Sequence, residues 1–313
     1  MRDWKPTVAV VGAGAMGCLF GGLLAEGGLD VTLVDVWQEH VDRINSDGLR
    51  MVGYGGDRYI PVRATTDPSG MEAVDVVSVQ CKAPYTQEAV SRVRHILRAD
   101  SVAISFQNGL GNEEKIGEVI GMDRVLGGVT AQGAAIEGPG VVRNFSDLPS
   151  HIGEMGGGLS ERVQRIAAAF EGAGLQTSAS ADIRHTIWKK FLANIAVSTT
   201  SAVANLTIKE LFAVPELKET AFEALDEAVV VARAEGVELD LAESREVINQ
   251  IAGPGGSGDN KSSLCVDILN RRPSEVDVIS GAVVRLGRKH GIPTPVNRTL
   301  VAAVKGLESH YLS

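Results

Sequence analysis

The first half of the chain alternates short apolar runs with amphipathic stretches. Runs such as TVAVV, VTLV and VDVVSV are rich in β-branched residues and end at glycine or polar residues, which is typical of strands buried on both faces. Stretches such as SERVQRIAAAFEGAG place their apolar residues at helical spacing. Strands that alternate with helices in this way predict an α/β domain built around a parallel sheet.

Two stretches interrupt this alternation, and a third change ends it. GYGGDRYIPV predicts a hairpin or an extended insert, and GPGVVRNFSDLPSHIGE predicts antiparallel strands at one edge of the sheet. After about residue 180 the strand pattern stops, and the remaining sequence shows helical periodicity almost throughout. The pattern therefore predicts an α/β domain over residues 1–180, followed by an all-helical domain over residues 181–313.

Composition and charge exclude several classes of partner. The 313 residues are 44% hydrophobic and 22% charged, and the net charge of −9 gives no basic surface for nucleic acid or for an anionic membrane. Cys18, Cys81 and Cys265 are far apart, so we expect neither a disulfide framework nor a metal site. No signal peptide and no membrane-spanning apolar run is evident, and we expect a soluble cytoplasmic protein.

The amino-terminal stretch VAVVGAGAMG carries three glycines at the spacing G-x-G-x-x-G. Gly12, Gly14 and Gly17 follow a predicted strand and open a predicted helix, and Asp35 ends the next strand eighteen residues past Gly17. In this context the first glycine permits a tight turn, the second lets the backbone approach a pyrophosphate, and the third lets helix and strand pack closely. The sequence predicts a Rossmann-type domain whose pyrophosphate-binding stretch comprises Gly12, Ala13, Gly14, Ala15, Met16 and Gly17.

Asp35 indicates which nicotinamide cofactor the chain uses. A carboxylate at this position accepts hydrogen bonds from ribose hydroxyls and repels a 2′-phosphate. The next residues, Val36 and Trp37, supply no cation for such a phosphate. We therefore expect NAD(H), with NADP(H) as the alternative, although an aspartate here is also a good helix cap.

Lys82 and Asn108 follow two further predicted strands. The carboxyl ends of parallel strands line the ligand crevice of such a sheet, so Lys82 is a candidate for the cofactor phosphate or hydroxyls. Asn108 is a candidate for the nicotinamide half or the substrate. The alternatives are a solvated loop lysine and an ordinary Asn-Gly turn.

The stretch TIWKKFLANIAVSTTSA is apolar but carries polar residues every fourth position. Lys190, Asn194 and Ser198 share one narrow face of a helix, between apolar walls. A polar stripe of this kind indicates a crevice with defined hydrogen-bonding needs. Lys189 points about 100° away on the same helix and is expected at the surface.

Farther along, SSLCVDILNRRPSEVD holds Ser263 and Glu275. From the residues alone this stretch predicts a helix, a proline-containing turn and a second helix, which Ser274 would cap with Glu275 in its first turn.

Together these stretches resemble the ketopantoate reductase family, the 2-dehydropantoate 2-reductases and their relatives, over nearly the whole chain. The resemblance rests on GAGAMG, the strand end at Lys82, QNGLG, the helix with Trp188, Lys190 and Asn194, and the pair SSLCVD and RPSEVD. It implies reduction of a 2-oxo acid, most simply 2-dehydropantoate to pantoate in pantothenate biosynthesis, by a nicotinamide cofactor.

The resemblance also implies roles for individual side chains. Lys190 would protonate the developing alkoxide, and Asn194 would contact the substrate in the cleft between the domains. Asn108 would lie between cofactor and substrate, Ser263 would bind the substrate carboxylate, and Glu275 would hold substrate and cofactor hydroxyls. A homodimer is expected partly on the same ground.

One departure from the family pattern keeps the substrate open. Ser198 stands where these reductases typically have a second asparagine, so a D-2-hydroxy-acid dehydrogenase acting on another branched or aromatic 2-oxo acid is an alternative. A β-hydroxy-acid dehydrogenase of similar plan is a further alternative. A non-catalytic NAD(H) sensor is the alternative from another class, although a sensor needs no proton donor at Lys190.

Overall fold

The computed structural model describes residues 4–253, 256 and 258–312. Contacts divide the chain into two compact units. The first comprises Met1–Gln107 and Asn112–Thr186, and the second comprises Asn108–Gly111 and Ile187–Ser313. The domain limits of 1–180 and 181–313 stay predictions, because the contact division also transfers a four-residue segment to the second unit.

The first unit is built on an eight-stranded sheet. The strands of this unit are β1 (Thr7–Val11), β2 (Asp30–Val34), β3 (Leu49–Gly53), β4 (Arg58–Ile60), β5 (Arg63–Thr65), β6 (Val74–Val79), β7 (Leu97–Ser105), β8 (Val125–Thr130), β9 (Ala134–Gly138), β10 (Val141–Asn144), β11 (Ser150–Glu154) and β12 (Thr177–Ala179). The large sheet has the order β12-β11-β8-β7-β6-β1-β2-β5. From β8 to β5 all neighbours are parallel, which is the strand order of a doubly wound dinucleotide-binding fold.

Helices cover both faces of this sheet, as the apolar strand pattern predicts. They are α1 (Ala15–Glu26), α2 (Gln38–Asp47), α3 (Thr86–Val93), α4 (Asn112–Ile120) and α5 (Glu161–Gly172). Side chains alternate along β1: Val8 and Val10 join a core with α1 and α5, whereas Ala9 and Val11 join a second core with α3 and α4. The buried strands therefore read as continuous apolar runs.

A second, four-stranded sheet has the order β4-β3-β10-β9. The hairpin predicted from GYGGDRYIPV is confirmed by the antiparallel pair β3 and β4. The predicted antiparallel pairing is confirmed for β11, which pairs with β8, but β11 is second from the edge because β12 lies outside it. The prediction is wrong for β10, which belongs to this second sheet. Val142 explains the difference, since it is fully buried and lies opposite Met51 of β3 in the same core.

In the described part of the second unit, all regular secondary structure is helical. The helix α6 (Ile183–Ala204) runs into it from the first unit, and the other helices are α7 (Ile208–Ala213), α8 (Pro215–Ala234), α9 (Leu241–Ala252), α10 (Ser263–Leu269), α11 (Ser280–His290) and α12 (Pro295–Glu308). The predicted fold class, a Rossmann-type α/β domain followed by an all-helical domain, is confirmed. A search of the described residues finds no helix with the length and hydropathy needed to span a membrane.

Candidate active site

The loop after β1 that runs from Gly12 to Gly17, here called the glycine loop, needs glycine at two positions because of close backbone contacts. Gly12 has a φ of +97°, and a Cβ placed there would lie 2.4 Å from the backbone nitrogen of Cys81. A Cβ on Gly17 would lie 1.9 Å from the carbonyl oxygen of Gly12. Both positions therefore require glycine, because the loop and the start of α1 approach each other and the end of β6 too closely for a side chain.

Gly14 is different, because a Cβ there would meet no protein atom within 4 Å among the described residues. It is the N-cap of α1, whose first turn contains no acidic residue, and no described side chain caps the helix. Ala15 and Met16, the first helical residues, are partly exposed, and Ala13 is buried. An uncapped helix N-terminus with open space at its N-cap residue fits an anionic group such as a pyrophosphate.

Asp35 follows β2, and its carboxylate accepts hydrogen bonds from the two residues that come next in the chain. Its Oδ1 accepts hydrogen bonds from the backbone N–H groups of Val36 and Trp37, at 2.8 and 3.0 Å. No hydrogen bond to Oδ2 is found within the described chain. The capping alternative is wrong, because the N-cap of α2 is Trp37 and the Asp35 bonds go to N–H groups ahead of the helix. One carboxylate oxygen of Asp35 is left to accept bonds from a ligand.

Lys82 is exposed and lies three residues past β6. Because β6 is parallel to β1, and Gln80 N–H donates to the carbonyl of Val11 at 2.8 Å, Lys82 lies at the same edge of the sheet as the glycine loop. The described residues contain no cluster of three or more His, Cys, Asp and Glu suited to a metal ion.

In the second unit, the Lys190 ammonium lies against Asn108. Lys190 Nζ donates a hydrogen bond to Asn108 Oδ1 at 3.0 Å, although the two residues are 82 positions apart. Burial lowers the pKa of Lys190 to about 8, and the negative charge of Glu275 acts in the opposite direction. Glu275 itself is only 7% exposed. The arrangement is a partly desolvated lysine oriented by an amide oxygen, which suits proton transfer near neutral pH.

The segment Asn108–Gly111 holds Asn108 in this place. Leu110 N–H donates to the carbonyl of Val278 at 2.9 Å, and Arg285 donates to the carbonyl of Leu110 at 3.3 Å. Gly109 has a φ of +88°, and a Cβ on it would lie 2.4 Å from the Val278 carbonyl oxygen. The Asn-Gly pair is thus both a turn and a docking point, so the turn alternative and the functional prediction for Asn108 are compatible.

The prediction that a helix begins at Ser274 and Glu275 is wrong, because α11 begins at Ser280. The carbonyl of Val278, which would accept a bond from the next helical turn, accepts Leu110 N–H instead. Gly281 N–H then donates to the carbonyl of Val276, five residues back, which makes a wider turn. Glu275 is therefore held by a buried turn and not by the first turn of a helix.

The remaining predicted substrate residues differ in exposure. Asn194, one turn after Lys190 on α6, is partly buried, and its side chain has no hydrogen bond to any residue that the structure describes. Ser198 is buried, and its carbonyl accepts a bond from the Ser262 hydroxyl at 3.1 Å. Ser263 is exposed at the first position of α10, whereas Ser262 is the N-cap. Between the neighbours Ser262 and Ser263, only Ser263 has a side chain accessible to a ligand.

Lys189 supplies an internal comparison for Lys190. It is 52% exposed and pairs with Glu243 at 2.5 Å, so it lies on the outer face of the same helix, as the helical spacing predicts.

Sequence reasoning missed a cluster beside the glycine loop. Trp37 stacks on the imidazole of His40, and His40 Nε2 lies 3.2 Å from the thiol sulfur of Cys18. Burial lowers the pKa of His40, which the charge of Asp35 opposes, and burial raises the pKa of the Cys18 thiol. The spacing Trp-x-x-His at a helix start was the available signal, because residues three apart on a helix are neighbours.

Sequence reasoning also missed Glu113, a carboxyl buried in the first turn of α4. Only 3% of this residue is exposed, and burial raises its pKa to about 7. No local pattern marks this residue, since acidic residues are common at helix starts.

Comparisons with known proteins place the chain in a family. Residues 8–157 match the model described as "Ketopantoate reductase PanE/ApbA", and residues 182–308 match the model of its C-terminal part. The chain is 36% identical over 299 residues to a 2-dehydropantoate 2-reductase from Halobacterium salinarum, covering 95% of this chain and 97% of that one.

Two solved structures are similar over almost their whole length. A PanE/ApbA family ketopantoate reductase from Ralstonia eutropha is 30% identical with a TM-score of 0.90, and D-mandelate dehydrogenase with NADH and anilino(oxo)acetate is 27% identical with a TM-score of 0.92. Each alignment covers 98% of this chain and 100% of the other. The chain therefore belongs to the ketopantoate reductase family, whose members are oxidoreductases that act on a CH–OH group.

Proposed function

We propose that the protein reduces 2-dehydropantoate to pantoate with a nicotinamide cofactor, and that Lys190 donates the proton. The observation that carries this proposal is the bond from Lys190 Nζ to Asn108 Oδ1, which fixes an ammonium of lowered pKa in one orientation. When a reduced nicotinamide is bound, it supplies hydride to the ketone carbon. Lys190 stabilises the negative charge that then grows on the ketone oxygen and delivers the proton to that oxygen.

The pKa of about 8 suits this step. Near pH 7 most Lys190 side chains carry the proton, and the driving force for giving it up is larger than for an ordinary lysine. Asn108 orients the ammonium, and the charge of Glu275 keeps the pKa from decreasing further. We assign Asn194, Ser198 and Ser263 to the carboxylate and other polar groups of the substrate, and Glu275 to hydroxyl groups of substrate and cofactor.

For the cofactor, we infer that the stretch from Gly12 to Gly17 holds the pyrophosphate and that Lys82 assists it. The open space at Gly14 and the uncapped start of α1 support this inference. Asp35 supports NAD(H), because its available carboxylate oxygen suits ribose hydroxyls, and the exposed Val36 offers no cation to a 2′-phosphate.

The decisive experiment is steady-state kinetics with both cofactors and a panel of 2-oxo acids. We expect 2-dehydropantoate to be turned over with the highest kcat/KM, and NADH to be preferred to NADPH. In an Asp35→Asn variant, the ratio of kcat/KM with NADH to kcat/KM with NADPH should decrease, because asparagine can still form hydrogen bonds but carries no charge to repel a 2′-phosphate. A clear preference of the unmodified protein for NADPH would refute the cofactor assignment.

A second candidate is a D-2-hydroxy-acid dehydrogenase. Similarity to the D-mandelate dehydrogenase structure and the presence of Ser198 favour it, since the serine leaves more room than an asparagine would. Phenylglyoxylate and 2-oxoisovalerate in the same panel test this candidate. Turnover of these acids without 2-dehydropantoate would select it, and NADH binding without turnover of any acid would indicate a sensor.

A further inference from the structure

Trp37 is an exposed aromatic side chain that is nonetheless held in one place. Its ring lies nearly parallel to the imidazole of His40, with centroids 5.0 Å apart and an interplanar angle of 11°. His40 is fully buried, whereas Trp37 is 41% exposed. The imidazole therefore covers one face of the indole, and the exposed area leaves the ring accessible to a second flat partner.

His40 is fixed from both of its ring nitrogens. Gly140 N–H donates to Nδ1 at 2.9 Å, so the ring proton resides on Nε2, which lies 3.2 Å from the sulfur of Cys18. The Cys18 thiol in turn donates to the carbonyl of Ala13 at 3.0 Å. The support under Trp37 is thereby connected to the glycine loop.

This support stays uncharged near neutral pH. Burial lowers the pKa of His40, the charge of Asp35 only partly opposes this effect, and protonation of Nδ1 would break the bond from Gly140. Burial and the bond from Gly140 therefore both favour the neutral imidazole under Trp37.

Trp37 is also tied to Asp35, because its backbone N–H donates to Asp35 Oδ1 at 3.0 Å. Asp35 is the residue that we assign to the ribose hydroxyls, so the base on that ribose must lie within a few ångströms of it. Flat aromatic side chains bind nucleobases by stacking, and a ring fixed in advance loses little entropy on binding.

We propose that Trp37, supported by His40, is the stacking platform for the adenine ring of the cofactor. The inference rests on the proposed function, because it requires a dinucleotide on the glycine loop. It assigns to Trp37 a share of the cofactor affinity that neither the glycines nor Asp35 supply.

The test measures binding without turnover. Tryptophan fluorescence of the unmodified protein and of Trp4→Phe and Trp37→Phe variants is titrated with AMP, ADP-ribose and nicotinamide mononucleotide. Trp4 is the matched control, since it packs under Arg165 on the first unit, 4.4 Å from the ring centroid to the guanidinium carbon. AMP and ADP-ribose should quench the unmodified protein and Trp4→Phe, and the quench should be lost in Trp37→Phe.

Calorimetry on Trp37→Ala completes the test. We expect AMP and NADH to bind about tenfold more weakly, as is typical when a base loses an aromatic partner, with kcat at saturating NADH unchanged. Trp37→Phe, which keeps a ring over His40, should retain most of the affinity even if the alanine variant folds poorly.

The outcomes separate this inference from the proposed function. Unchanged AMP affinity in Trp37→Ala, with normal turnover, would overturn the stacking role and leave the reductase intact. Failure of every form to bind AMP or NADH would overturn both. A quench by nicotinamide mononucleotide that equals the AMP quench would also overturn the inference, because that ligand carries no adenine.

Discussion

The glycine loop of the first unit and the lysine site of the second unit are assembled in different ways. The loop is contiguous: Gly12 to Gly17 span six positions, and their conformation follows from backbone contacts within the same strand, turn and helix and with the neighbouring strand end. The lysine site draws on positions 108, 190 and 275, which only the tertiary fold brings together.

This difference determines what each site can tolerate. A site made of backbone depends on the absence of side chains, so it is disrupted when a substitution adds a methyl group. A site made of side chains depends on chemistry at one atom and on the segment that orients it, so its weak points are removal of that atom and displacement of the segment. The predictions that follow test each kind of weakness.

The largest effect is expected from Lys190→Ala. Removing a preorganised donor typically lowers kcat about a hundredfold to a thousandfold, and the variant should still bind NADH because the glycine loop is intact. Lys189→Ala is the matched control, since this neighbouring lysine is exposed and paired with Glu243. Near-normal kcat in Lys190→Ala, or an equal loss in Lys189→Ala, would remove Lys190 from the proton-transfer step.

The next largest effect is expected from Gly109→Ala. The added Cβ would lie 2.4 Å from the Val278 carbonyl oxygen, so Asn108–Gly111 must move and Asn108 must leave Lys190. A misplacement of this size lowers kcat by about tenfold to a hundredfold. Gly56→Ala controls for backbone strain, because Gly56 has a φ of +86° and no neighbour within 4 Å among the described residues. Equal behaviour of the two variants in kcat would show that the docking contact is unimportant.

Much of the fold and part of the candidate site follow from local sequence. The buried strands, the Rossmann-type order and the glycine turn are predictable because periodicity and glycine geometry act within a few residues. The start of α11 at Ser280 is not, because the competing bond from Leu110 to Val278 joins residues 168 positions apart. The contact between Trp37 and His40 could have been predicted from helical spacing. The hydrogen bond from Gly140 to His40 could not, because these residues are 100 positions apart in sequence.

The pH profile should also separate the two sites. The pKa of Lys190 is lowered to about 8, so the ammonium needed for reduction is lost above that pH. The kcat/KM for the 2-oxo acid should decrease about tenfold per pH unit above about 8. Oxidation of the hydroxy acid, which needs the neutral amine, should instead increase as the pH rises to about 8 and level off above it. NADH affinity should stay constant across pH 8. A reduction rate that remains flat to pH 10 would contradict the lowered pKa.

The smallest effect is expected from Gly14→Ala, and it tests the loop itself. Because a Cβ on Gly14 meets no protein atom within 4 Å among the described residues, the variant should melt near the temperature of the unmodified protein. Its NADH affinity should nevertheless decrease about tenfold, since the methyl group occupies the space that a pyrophosphate needs next to the backbone. Gly17→Ala should instead lose stability and affinity together, because its Cβ would collide with the Gly12 carbonyl. Unchanged NADH affinity in Gly14→Ala would mean that the open space at the start of α1 is not where the cofactor binds.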